Sequence, residues 1–152
     1  MFKKWKNKKL LKNEKGLTLI ELLAVIVILA IISAIAVPAI GNIIENTRYN
    51  ATKADAISVL NAANLYFTDE PDEPSVTVSK LKEDKYLDTA GKLDAVTTVT
   101  VTKGSPNTIT AENVKYSGEK TISFTEATLQ SINKDSQKGS DSPKPITKNP
   151  SK

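Results

Sequence analysis

The chain has 152 residues, 39% of them hydrophobic and 25% charged, with no cysteine and no histidine. Disulfides, thiolate or imidazole metal sites and histidine acid–base catalysis are therefore excluded. The formal charge of +4 is unevenly spread: residues 1–16 hold seven lysines against one acid, and the remainder holds 14 basic residues against 16 acidic ones. The basicity belongs to the start of the chain, so nucleic-acid binding inferred from overall charge has no support in the rest.

Residues 1–16 form a hydrophilic run whose like charges repel one another. Beside an apolar span, such lysines hold their end in the cytoplasm and send the C-terminus across the membrane. Leu22 to Gly41 is twenty residues without a charge, interrupted only by Ser33 and Pro38. At ~1.5 Å per residue that length covers the ~30 Å hydrocarbon core of a bilayer. A buried core helix is the other reading, but a domain this small can hardly cover a helix apolar all round. A transmembrane helix is expected.

Glu21 stands at the start of that span. An acid drawn to the middle of a membrane helix costs on the order of 2.5–3.5 kcal/mol, and less near the end. It is either an interfacial side chain or one that needs a cation. The first basic residue downstream is Arg48, about 40 Å further along a helix. Pro38 removes one backbone hydrogen bond and favours a kink, and Gly41 adds a second soft point.

Past Gly41 the pattern turns amphipathic. Ile44, Thr47, Ala51, Ala54, Ile57, Leu60, Asn64 and Phe67 recur at spacings of three and four, which predicts one helical stripe. Nothing signals a stop before Thr68, so a single helix from Leu17 to about Thr68 is expected, about 80 Å long. Asp69-Glu70-Pro71-Asp72-Glu73-Pro74 ends it. The clustered acids read as a solvated turn or a site for a hard cation, although their spacing fits no EF-hand loop.

Ser79 is expected to cap a short helix, Lys80 to Lys85, anchored by Leu81, Tyr86 and Leu87. Val96 to Thr102, Thr108 to Ala111, Val114 to Tyr116 and Thr121 to Phe124 carry β-branched alternation and predict short strands joined by tight turns. They imply a small antiparallel sheet with the amphipathic helix as its cover. Residues 133–152 are rich in Ser, Lys, Asp, Gly and Pro and predict a flexible tail, with a partner-binding strand as the other reading. The expected divisions are thus 1–16, 17–41, 42–68, 69–132 and 133–152.

Lys15-Gly16-Leu17-Thr18-Leu19-Ile20-Glu21, followed by the long apolar span with Pro38 inside it, resembles the class III signal of type IV pilins and pseudopilins. The specific resemblance covers residues 14–45. It implies an α+β fold, the type IV pilin fold, with a long N-terminal helix whose first half is transmembrane, packed on a small antiparallel sheet. It also implies a prepilin peptidase that removes the leader between Gly16 and Leu17 and N-methylates Leu17. Glu21 matches the family's fifth mature residue, the assembly glutamate, and its implied partner is the α-amino group of Leu17, its own or a neighbour's. The implied partners are further copies in a homopolymeric or mixed filament, the peptidase, an assembly platform and ATPase, and the membrane. The implied location is the cytoplasmic membrane for the precursor and a cell-surface filament once assembled.

The chain departs from the family pattern in three places. Leu17 replaces the more usual phenylalanine, Ala30 stands where many pilins have glycine, and the C-terminal cysteine pair of many Gram-negative pilins is absent. The lysine-rich leader and the short helix before Lys85-Tyr86-Leu87 look more like Gram-positive or competence-type pilins. Two other functions remain open: a secreted domain released by ordinary signal peptidase after Ala34-Ile35-Ala36, and a single-pass anchored surface protein. No nucleophile–base pair or cofactor motif points to an enzyme. DNA binding through Lys80, Lys82 and Lys85 is weakly supported.

Overall fold

The computed structural model describes the backbone of residues 6–149 and the side chains of residues 18–149. The side chains of the expected leader and of Gly16 and Leu17 lie outside the described residues. The chain divides into two compact units, Met1–Gly41 and Asn42–Lys152.

Helix α1 runs Lys6–Asp69, with Pro38 inside it. It starts earlier than Leu17 because nothing in the lysine run stops a helix. Its end matches the expectation, since Pro71 and Pro74 follow. In the second unit, α1 buries Tyr49, Thr52, Ala56, Val59, Leu60, Ala63, Tyr66 and Phe67. The expected stripe was thus rotated. Leu60 and Phe67 are buried, but Ile44, Thr47, Ala51, Ala54 and Asn64 are exposed. Alanine and threonine fit either face, so the large side chains Tyr49, Val59 and Tyr66 decide the orientation. Thr52 is buried without strain because its hydroxyl donates to the Arg48 carbonyl at 3.1 Å.

Five strands follow: β1 Ser75–Thr77, β2 Val99–Thr102, β3 Thr108–Ser117, β4 Lys120–Thr128 and β5 Ile146–Thr147. They lie in the sheet in that order. β1 to β4 pair antiparallel, with Val76 opposite Val101 and Val101 opposite Ile109. β5 pairs parallel with β4, Ile146 opposite Phe124. The sheet is therefore mixed rather than wholly antiparallel. Alternation sends Val99, Val101, Ile109, Ala111, Ile122 and Phe124 to the buried side. Thr100, Thr102, Thr108 and Thr110 take the other.

The expected strands 108–111 and 114–116 are one strand, β3, whose register shifts between Ala111 and Val114. Asn113 takes φ 53 there, a conformation asparagine tolerates, and its N–H donates to Ser123 Oγ at 3.0 Å. The short helix α2 is Val78–Glu83, capped by Thr77, whose side chain accepts from the Lys80 N–H. Ser79 is therefore not the cap: Val78 is needed inside α2 to reach the core. A 3-10 helix, Gly91–Ala95, and helix α3, Leu129–Lys134, complete the elements.

The segment expected to be a flexible tail differs most. Ile146 and Gly139 are buried, and residues 135–147 lie against α1, β3 and β4 through polar contacts. Its composition is poor in apolar residues, but one isoleucine and a set of hydrogen bonds suffice to dock it.

Candidate functional site

The first unit presents an apolar helix with no packed face. Sixteen large apolar side chains from Leu19 to Ile44 are exposed, fourteen of them in the first unit, with relative exposure from 46% at Ile44 to 72% at Ile35. A helix of a globular protein hides one stripe of such residues. Here they surround the axis, so no single contact with a soluble domain can cover them. The segment is long and apolar enough to cross a membrane, and none of it is buried.

Glu21 is the one charged residue between Thr18 and Ile44. Its side chain is exposed and makes no ion pair among the described residues. Arg48, the first basic residue downstream, donates instead to Ser117 Oγ at 3.3 Å. Among the described residues, the chain after Glu21 therefore offers it no cation. Leu17 is four residues before it in the sequence.

Pro38 leaves the Ala34 carbonyl without its helical donor, yet α1 continues through it. At Gly41, an added Cβ meets nothing within 4 Å. This glycine is therefore not required for close packing in the chain by itself, and its effect is on backbone freedom.

The second unit places the remaining sequence candidates. Among the acids of 69–73, the Asp69 carboxylate accepts from the Tyr86 hydroxyl at 2.6 Å. That hydrogen bond, with burial behind it, pushes the Tyr86 hydroxyl up to about 12. No three acids converge as a metal cradle among the described residues. Two of the three lysines considered for DNA are paired: Lys80 with Asp84 at 3.0 Å and Lys82 with Asp94 at 2.9 Å. Their charge is offset locally, which leaves little basic field for a phosphate backbone.

The sequence did not disclose a polar cluster around Asp135. The Tyr49 hydroxyl donates to Asp135 Oδ2 at 2.8 Å, Lys53 Nζ donates to the same oxygen at 3.0 Å, and Gln137 Nε2 donates to Oδ1 at 2.8 Å. Burial alone raises a carboxyl, but these donors and the lysine charge outweigh it and hold Asp135 below the usual carboxylate range. Burial, followed by the bond to Asp135, pushes the Tyr49 hydroxyl far up. Tyr49 also meets Tyr116 edge to face, ring centres 5.4 Å apart. The partners are 86 positions apart in sequence, so no local spacing announces them.

Residues 11–37 match the family model of the prokaryotic N-terminal methylation motif. No curated protein and no solved structure matches the chain. The matched segment spans the start of the apolar helix and contains Glu21. The match supports a likeness of this segment to the N-terminal segment of type IV pilin and pseudopilin precursors.

Proposed function

We propose that this chain is a structural subunit of a type IV pilus or pilus-like filament. It is cut between Gly16 and Leu17 by a prepilin peptidase, N-methylated at Leu17, and polymerised through the apolar half of α1. The observation that carries this reading is the unpacked apolar surface from Leu19 to Ile44 with one carboxylate at its start. The lysines before Gly16 orient the precursor, with its C-terminus outside.

The chemistry of assembly follows from what the cut exposes. In a bilayer, apolar side chains gain nothing from leaving lipid for other helices, so greasy surface alone does not drive helices together. An unpaired acid is different, because it is poorly accommodated among lipid tails. Cleavage creates an amine at Leu17, one helical turn from Glu21, and turns a mid-helix acid into one near a helix N-terminus. In a water-poor filament core, the carboxylate of one copy and the amine of the same or a neighbouring copy attract more strongly than at a surface. Where the amine is a neighbour's, the pair fixes the axial register between copies.

The test separates processing from assembly. Glu21→Ala is expected to be cut normally at Gly16–Leu17 and to give fewer filaments by electron microscopy. Filaments as abundant as in the parent would show that the carboxylate has no assembly role. Functions such as DNA uptake, adhesion, motility or secretion would follow from the filament's other components, among them the assembly platform and ATPase.

A further inference from the structure

The C-terminal segment after α3 is held in the second unit by side chains spread over three elements, α1, β3 and β4. At its start, Lys53 of α1 donates to both the Asp135 carboxylate and the Asp135 carbonyl, the latter at 2.7 Å. In its middle, Lys120 of β4 donates to the Ser140 carbonyl and to Glu45 Oε2, each at 2.7 Å. The Tyr116 hydroxyl donates to the Gly139 carbonyl at 2.7 Å, and the Ser140 N–H donates to Asn46 Oδ1 at 3.0 Å. At its end, Ile146 is 3% exposed beside Phe124.

The balance of these contacts is unusual for part of a core. Within 135–147 the only large buried apolar side chain is Ile146. Apart from the close seat of Gly139 on Tyr49, the rest is hydrogen bonding to groups that water satisfies when the segment leaves. There is no cysteine, so no covalent bond closes the segment. Segments with little buried apolar area open at lower free energy than the core they rest on. The segment meanwhile shields part of β4, which is otherwise an edge strand with free backbone donors and acceptors.

We propose that residues 135–147 form a clasp that opens and closes as one unit while the rest of the second unit stays folded. Lys53 and Lys120 are its two latches, and the β4 edge is what it covers. Each ammonium bridges a carboxylate and a backbone carbonyl of the segment, acting as a built-in cation. Closed, the clasp keeps the β4 edge from pairing with another chain; open, it releases that edge and the α1 surface around Tyr49.

Hydrogen exchange on the full chain in detergent micelles tests this. Lys120→Met is expected to speed exchange in residues 136–147 by about tenfold or more, the loss of a charge-assisted latch, while residues 108–117 of β3 keep their protection. Unchanged exchange in 136–147, or an equal rise in both segments, would overturn the proposal. A second variant does not depend on that loss. Thr125 and Thr147 are register partners, so Thr125→Cys with Thr147→Cys introduces two cysteines into a chain that has none. Oxidation is expected to bond them and to restore slow exchange in 136–147 when combined with Lys120→Met. A pair that does not form the bond, or that forms it without restoring protection, would overturn the clasp.

Discussion

Gly139 lies against one turn of α1, where an added Cβ would overlap Tyr49 and stand 2.7 Å from the Glu45 carbonyl. The backbone of α1 cannot yield there without breaking the helix. Gly139→Ala is therefore expected to lower the stability of the second unit by about 1–3 kcal/mol through overpacking, read as a lower thermal midpoint. An unchanged midpoint would mean that the segment shifts freely. Asp135 gives a residue-scale prediction of its own. Its folded carboxyl titrates below the ordinary value of about 3.9, so the unfolded chain takes up the proton first as pH falls. The stabilisation is fully present above that ordinary value and is lost as pH drops through the lower, folded one. Asp135→Asn is expected to be less stable than the parent at pH 7, by roughly 1–3 kcal/mol. It should also show a smaller further loss as pH falls below the ordinary carboxyl value of about 3.9. Parallel acid melting curves for the two proteins would contradict the ion-pair account.

At the scale of elements, α1 shows which sequence signals are decisive. Its apolar half was legible because the pattern is contiguous and needs no partner to interpret. Its amphipathic half was legible as a helix, but not in its orientation, because Ala51, Ala54 and Thr47 carry too little surface to fix a face. The strands of β2 and β4 announced themselves through Val-Thr and Ile-Ser-Phe alternation. α3 did not, because its capping box uses Ser131 rather than an acid or amide three residues after Thr128. β5 was hidden in a segment of lysine and proline, where only its pairing with Phe124 gives Ile146 a role. Gly41 yields the prediction proper to this scale. It sits in α1 with open space around its Cα, so Gly41→Ala is expected to strengthen the helix locally by about 1 kcal/mol. Slower amide exchange across residues 38–45 would register it; no change would mean that neighbours, not backbone freedom, set local stability.

For the whole molecule, the two units divide the inference as they divide the chain. The first unit carries the methylation motif, the apolar helix and Glu21, all written within one stretch of sequence. The second carries contacts such as Tyr49 with Asp135 and Lys120 with Glu45, which only the folded chain brings together. That is why the family resemblance and the expected assembly residues came from the sequence, whereas the Asp135 cluster and the docked C-terminal segment required the structure.

The central claim is that the chain matures between Gly16 and Leu17, since the amine created there is what gives Glu21 a partner. Mass spectrometry of the N-terminus of the mature protein tests it most directly. The expected result is a chain that begins at Leu17 and carries an N-methyl group on it. A mature chain that begins at Val37, or one that still begins at Met1, would contradict it.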